Sequence, residues 1–195
     1  MTIYLTSDSH LWHNKVLEFE DRPFGSVEEM NEGMIDAWNS VVRKTDTVYH
    51  LGDFCFGNVN QWLDVLNQLR GNIILIKGNH DKGKIIRRVL NDGYLHEYHS
   101  LGIMMVQEKM MLNLSHYPLM IGVRPRNFSI HGHIHSSDTG ELNHINVGVD
   151  SSFAKELGKP FGTPIELSEL MQKVHELNPL VEEAKAKERE ENGKI

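Results

Sequence analysis

Short apolar runs alternate with amphipathic stretches through the first half of the chain. Residues 2–7, Val48-Tyr49-His50-Leu51 and Ile73-Ile74-Leu75-Ile76 read as strands, the last as a continuous apolar run of the kind buried on both faces. Between the first two, Met30, Met34, Trp38 and Val41 fall on one helical face. Ser26-Val27-Glu28-Glu29 supplies a capping box ahead of them, so a helix is predicted to about Val42. Trp62, Leu63, Leu66 and Leu69 repeat at helical spacing before Gly71, and residues 84–90 predict a further helix with Gly93 beyond its end. The order is β, α, β, α, β, α.

The pattern then turns strand-rich. Ile103 to Val106 and Met110 to Leu114 predict paired strands joined near Glu108; Phe128 to His131 and His144 to Val147 predict two more, linked by a polar loop over 136–141. A second sheet packed on the first follows. Pro160 and Pro164 interrupt regular structure before a helix over about 165–177, and 180–192 read as an exposed charged helix or a frayed tail. Glu183 and Lys187 are spaced there for a pair worth about 0.2–0.5 kcal/mol, and no catalytic role is expected of the segment. The expected organisation is one α/β domain over 1–178 with a tail over 179–195.

Chemistry concentrates where the apolar runs end. Asp8-Ser9-His10, Gly52-Asp53, Gly78-Asn79-His80-Asp81, Ser115-His116 and Gly132-His133-Ile134-His135 all sit at strand ends, where open α/β sheets place ligands. In extended backbone, positions i and i+2 share a side, so Asp8 with His10, and His133 with His135, can each reach one cation. Gly52 permits a tight turn beside Asp53. Asp8, His10, Asp53, Asn79, His116, His133 and His135 mix carboxylate, amide and imidazole, a set suited to zinc, manganese or iron rather than calcium. Seven donors are many for one ion and reasonable for two that share a bridging carboxylate. Each fragment taken alone is more often ordinary hydrogen-bonding structure; their joint order carries the reading.

Composition narrows the partners. A net charge of −7 argues against broad attraction to nucleic acid or an anionic membrane, while bound cations would still admit a phosphate-bearing substrate. The lone Cys55 excludes an internal disulfide framework, fits a reducing compartment, and reads as a small buried hydrophobe in preference to a soft ligand. The early acidic chemistry at Asp8 leaves no room for a signal peptide, and no apolar run reaches transmembrane length, so a cytoplasmic protein is expected. A homo-oligomer is compatible with these features.

The five motifs in this order resemble the calcineurin-like metallophosphoesterase family, over roughly Met1 to Phe153 and most closely its small stand-alone bacterial or phage-type members. The resemblance implies a four-layer α/β/β/α sandwich, with two mixed β-sheets packed face to face and helices outside. It implies two divalent or mixed-valence transition-metal ions, drawn from manganese, iron or zinc. One would be held by Asp8, His10, Asp53 and His135, the other by Asp53, Asn79, His116 and His133, with Asp53 bridging. It further implies hydrolysis of phosphate esters by in-line attack of a metal-bridging hydroxide, without a phospho-enzyme, so that Ser7, Ser9 and Ser115 are turn residues. His80 becomes the group that stabilises the transition state or protonates the leaving oxygen. The chain departs from the large protein phosphatases in carrying Phe56 where they place an acidic partner three residues after the bridging Asp. His80 must then be oriented by another group, Asp81 or a backbone carbonyl, or act mainly as an electrostatic donor.

Substrate contacts are expected from His13 and Asn14 behind the first motif, although a plain surface loop suits them equally, and from Arg22, Arg124 and Arg126 in proline-containing loops. His131 and His144 are read as structural. A small or nucleotide-like phosphodiester is favoured over a phosphomonoester, and long duplex DNA is disfavoured by the absence of a basic stripe. The rival accounts are a noncatalytic metal-stabilised binding module and an oxygen-activating iron protein.

Overall fold

The computed structural model describes residues 1–193. Strand β1 (Ile3–Thr6) pairs in parallel with β2 (Thr47–His50), which pairs in parallel with β3 (Asn72–Ile76) and so to β4 (Glu97–His99). A short β9 (Ile165–Glu166) lies antiparallel against β1, giving a mixed sheet of order β4-β3-β2-β1-β9. The second sheet has the order β5-β6-β7-β8, formed by β5 (Gly102–Met105), β6 (Met111–Leu114), β7 (Asn127–His131) and β8 (His144–Asn146). Its β5–β6 pair is the expected antiparallel hairpin, and the remaining pairs are parallel.

Alternation along the strands builds two cores. Val48, Ile73 and Leu75 meet α2 (Val27–Val41), α3 (Val59–Gln68) and α4 (Gly83–Asn91) through Met30, Met34, Trp38, Trp62, Val65, Ile86 and Val89. Leu5, Leu51 and Ile76 belong to the other core, with Leu112, Leu114, Phe128, Ile130 and Ile145 of the second sheet. Two mixed sheets with accompanying helices are thus the architecture the sequence implied. The capping differs in one detail. Ser26 accepts from the Glu29 N–H as expected, but Glu29 reaches back to the Gly25 N–H, one residue earlier than a capping box requires.

The C-terminal third departs further. Residues 165–166 are strand, not the first turn of a helix, because Glu166 caps α6 (Leu167–Asn192) while pairing with Tyr4. The helix α6 then continues through Pro179, across the expected boundary at 178/179, and buries Val181 beside Leu170 and Val174. Val181 thus extends the core past Pro179. Two short helices, α1 (Val16–Phe19) and α5 (Ser152–Glu156), were not legible as periodic segments. No helix among the described residues is long and apolar enough to cross a membrane.

What positions the site is the way the strand ends interlock. The N–H groups of Asp8 and His10 donate to the carbonyls of Gly52 and Asp53 at 3.0 Å each, so the first two motifs run alongside one another. Ser7 bridges to Gly148 just beyond β8, joining the two sheets, and the Gly132 N–H donates to the His116 carbonyl at 3.0 Å.

Candidate metal centre

Asp53 stands at the middle of the cluster. Its Oδ2 lies 3.5 Å from His10 Nε2 and 3.4 Å from His116 Nε2. His116 Nε2 is in turn 2.8 Å from Asn79 Oδ1 and 3.2 Å from His133 Nδ1. On the other side, Asp8, His10 and His135 bring ligand atoms within 4.8 Å of one another. All seven expected ligands therefore lie in one connected cluster, with Asp53 between its two halves.

The residues fit metal coordination. Metal–ligand bonds of about 2.1 Å place adjacent donors about 3.0–3.4 Å apart in octahedral or tetrahedral shells, close to the 2.8–3.5 Å spacings around Asp53 and His116. Asp8 Oδ1 and His10 Nε2 are buried and find no hydrogen-bond partner among the described residues. Leaving such atoms unpaired is costly unless a cation completes them. The imidazoles are also preset. His116 Nδ1 and His135 Nδ1 face acceptors that carry no proton, the Leu51 carbonyl and the Asp150 carboxylate, each at 2.9 Å. Both rings must donate through Nδ1, which leaves each Nε2 lone pair free for a metal.

Backbone strain converges on the same place. Asp8, His10, Asp53, His133 and His135 all adopt positive φ, between 48° and 70°. Non-glycine residues adopt it uncommonly, Asp and His more readily than most, and its concentration in five side chains of one cluster is characteristic of functional sites. Close packing holds it. A Cβ at Gly52 (φ 101°) would stand 2.6 Å from the Gly78 nitrogen and 2.7 Å from His116 Nδ1, and one at Gly132 would collide with Asp8 Oδ2 and Ser7 Oγ. The carboxylate of Asp81, itself buried, accepts from the N–H groups of Asp53, Phe54 and Gly78 at 2.8–3.0 Å, tying the second and third motifs together.

Electrostatics favour a cation. Burial pushes the Asp8 carboxyl up to about 6 and the His10 imidazole down to about 3. Burial also opposes ionisation of Asp53, but the hydrogen bond and charge of His116 and the His80 N–H outweigh it and hold that carboxyl at about 2. His116 is raised despite its burial, by Asp53 and Asp8, and His135 likewise by Asp150 and Asp8. Acidic groups thus draw positive charge inward, and two cations would displace those protons.

His80 is exposed, with Nε2 4.0 Å from Asp53 Oδ2, while its backbone N–H donates to Asp53 Oδ1 at 2.8 Å. Among the described residues Asp81 hydrogen-bonds to three backbone N–H groups and not to the His80 ring. His13 is half-buried and stacks on Phe56 at 4.2 Å, beside the centre; Asn14 is exposed. Ser7, Ser9 and Ser115 bond to the Gly52 carbonyl, the His50 ring and the Tyr117 carbonyl, as turn and packing residues do. Cys55 is buried, and burial drives its thiol up to about 12, in keeping with a small core side chain.

The arginines are corrected. Arg22 is wholly covered. Its Nε and Nη2 donate to Asp150 at 3.0 and 2.7 Å, and Nη1 and Nη2 donate to the carbonyls of Ser9 and Asp8 at 2.8 and 2.7 Å. It serves the protein's interior and cannot grip a substrate. Arg124 and Arg126 are exposed and precede β7, whereas the ligands follow it. At about 3.3 Å per residue the strand separates those arginines from the centre by roughly 16 Å or more. Asp150 was missed by sequence reasoning. The rule that exposed the candidate ligands, a polar residue shortly after an apolar run and a glycine, also fits Val147-Gly148-Val149-Asp150.

Comparisons with known proteins agree with this geometry. Residues 1–151 match the family model described as a calcineurin-like phosphoesterase superfamily domain, and the chain belongs to that superfamily. An uncharacterized protein of Methanocaldococcus jannaschii is 36% identical over 146 residues, 74% of this chain and 75% of that protein. The gene 66 protein of Mycobacterium phage L5 is 37% identical over 81 residues, 40% of this chain and 39% of its own length. A crystal structure of a protein of unknown function from Aquifex aeolicus superposes with a TM-score of 0.64 at 26% identity, over 88% of this chain and 98% of that one. The relatives include small bacteriophage and archaeal proteins, in line with a small stand-alone member.

Proposed function

We propose that this protein is a dinuclear-metal hydrolase of small phosphodiesters. The observation that carries the reading is the placement of Asp53 Oδ2 between His10 and His116, 3.5 and 3.4 Å away, in a cluster whose Asp8 Oδ1 and His10 Nε2 are buried without partners. Asp8, His10, Asp53 and His135 would hold one cation, and Asp53, Asn79, His116 and His133 the other, from manganese, iron or zinc. Bound cations supply Lewis acidity toward phosphoryl oxygens and a water of lowered pKa for in-line attack.

The chain's own groups do the rest. Asp53 stays ionised and spans the two halves. Asp150 and the Leu51 carbonyl fix the tautomers of His135 and His116. His80, exposed at the rim, can donate to the leaving oxygen or to the phosphoryl group as charge develops. Preference for a diester rests on charge. None of the three expected arginines faces the centre, and Glu20 borders the adjoining cleft, so the second negative charge of a monoester would meet a carboxylate in place of a guanidinium. A monoester preference is the alternative.

Chelator-stripped protein should hydrolyse neither bis(p-nitrophenyl) phosphate nor p-nitrophenyl phosphate. Reloading with manganese, zinc or iron should restore activity, with kcat/KM higher for the diester. Full activity after metal removal, or no hydrolysis by reloaded protein across a broad ester panel, would overturn the reading. A higher kcat/KM for the monoester would overturn the diester preference alone.

A further inference from the structure

Beside the metal centre lies a cleft of about 330 Å³ whose walls include His10, His13, Phe19, Glu20, Phe56 and His80. Its volume reaches the lower range of pockets that enclose small ligands. The aromatic lining is ordered. His10, His13, Phe56 and His80 form a closed circuit of ring contacts, with centroid distances of 5.3 Å (His10–His13), 4.2 Å (His13–Phe56), 5.3 Å (Phe56–His80) and 5.6 Å (His80–His10). The ring planes of His13 and Phe56 are nearly parallel in their stack, 14° apart. Phe19 also lines the cleft and stands 68% exposed at the end of α1, while Phe56 is 38% exposed. A single exposed phenylalanine is unremarkable. Two that border one cleft, against a cluster of metal-ligand side chains, give the cleft flat apolar surfaces next to a place that takes phosphate.

We propose that this cleft holds the nucleobase of a nucleotide ester, with Phe19 and Phe56 as the residues that select it. The proposal deepens the hydrolase reading and rests on it. Every base offers a π-face, and stacking on an aromatic side chain is worth enough to change affinity about tenfold. Glu20 adds a polar criterion. Its carboxylate is an acceptor for an exocyclic amino group and a repellent for a second phosphate, so a base suits the cleft better than a polyphosphate tail. The phenyl ring of Phe56 makes the wall on which His13 stacks.

The test compares adenosine 5′-methylphosphonate with ribose 5-methylphosphonate, monoanionic mimics of a diester that share phosphonate and sugar and differ in the base. Titration calorimetry on manganese-loaded protein should show the base-containing ligand binding about tenfold tighter. Phe19→Ala and Phe56→Ala should bring the ratio of the two affinities toward one, and Phe19→Trp should preserve it. Equal affinities in the wild type, failure of the adenosine methylphosphonate to bind, or a ratio that survives both truncations would overturn the proposal. The melting temperature of each variant separates loss of fold from loss of stacking. Ester hydrolysis without base preference would remove this proposal alone. Base-dependent binding without hydrolysis of any ester would remove the hydrolase reading and leave the cleft as a nucleotide-binding site.

Discussion

Arg22 and Asp150, 128 residues apart, form a bidentate pair sealed inside the protein, with Nε–Oδ1 at 3.0 Å and Nη2–Oδ2 at 2.7 Å. The same Asp150 Oδ2 accepts from His135 Nδ1 at 2.9 Å, and the same guanidinium holds the carbonyls of Asp8 and Ser9. One buried cation thus fixes both the backbone that carries the first motif and the orientation of the last ligand. Neither end is exposed, so the pair's value lies in positioning.

Removing one member of such a pair leaves an uncompensated charge. Arg22→Ala should destabilise the fold by about 3–5 kcal/mol in chemical denaturation. Asp150→Asn keeps the shape but weakens the anchor of His135, and should lower metal affinity by about 10–100-fold with a smaller loss of stability. Arg22→Lys should rescue little, because an ammonium cannot make the paired contact. Denaturant midpoints and competitive metal titration give the two numbers. Normal metal affinity in Asp150→Asn would show that His135 is held by packing alone.

The His80→Ala protein should retain its metal and lose about 10²–10⁴ in kcat if the ring donates to the leaving oxygen. Its side chain is exposed, so the fold should survive the substitution, and metal analysis by mass spectrometry checks the first half. A leaving-group series distinguishes the roles. Esters of acidic phenols need little protonation, so they should suffer least from the substitution. A uniform loss across the series would mark His80 as an electrostatic group acting on the phosphoryl oxygens.

Much of this was legible because strand periodicity and strand-end chemistry coincide. Val48, Ile73 and Leu75 announce buried strands by composition, and Asp8, Asp53 and Asn79 follow such runs directly. Arg22 illustrates what was hidden. Pattern showed a cation beside a proline loop, but only the path of the chain brings Asp150 against it and turns a surface charge into an internal tie. Arg124 and Arg126 looked adjacent to the ligands in sequence, yet a strand's length intervenes. The two-residue β9 and the continuation of α6 past Pro179 were hidden for a related reason. Their pairing with β1 and the burial of Val181 are tertiary contacts that override local signals.

Gly52→Ala should damage the centre without touching a ligand. The added Cβ meets backbone at 2.6 Å and His116 Nδ1 at 2.7 Å, and φ of 101° already excludes a comfortable L-residue. A cost of about 1–3 kcal/mol is expected, together with displacement of His116 and weaker metal binding. Thermal melts of stripped and metal-loaded protein check both effects. An unchanged increment in melting temperature on metal addition would show that the loop yields without moving His116.

Acid should destabilise the metal-free protein through histidines that folding keeps neutral. Burial lowers His50 to about 3 and His131 to about 4, from an ordinary 6.5, with His10 at about 3 beside them. The wiring of His50 shows why. Its Nδ1 accepts from the Gly52 N–H at 3.2 Å, so Nε2 must donate to Ser9 Oγ at 2.7 Å, and a second proton would break the first contact. Because the folded pKa values lie below the unfolded one, the unfolded chain takes protons first as pH falls through 6.5. Stability present above that value is lost toward pH 4, at about 1.4 kcal/mol per pH unit for each uncompensated histidine. Asp8 works the other way, since its carboxyl is raised to about 6 and the folded state binds its proton first between roughly pH 4 and 6. Asp81, raised by its burial, and His116 and His135, raised by their carboxylate neighbours, also take up protons first in the folded state. His13, His133 and His144 are lowered by burial as well, so six lowered histidines outweigh the four raised groups and leave a net loss in acid. Urea unfolding of chelator-treated protein between pH 7 and 5 should show it, and His50→Gln should flatten the slope by about one proton. A free energy independent of pH across that window would mean that the buried rings titrate normally and that the loop around Gly52 opens to admit the proton.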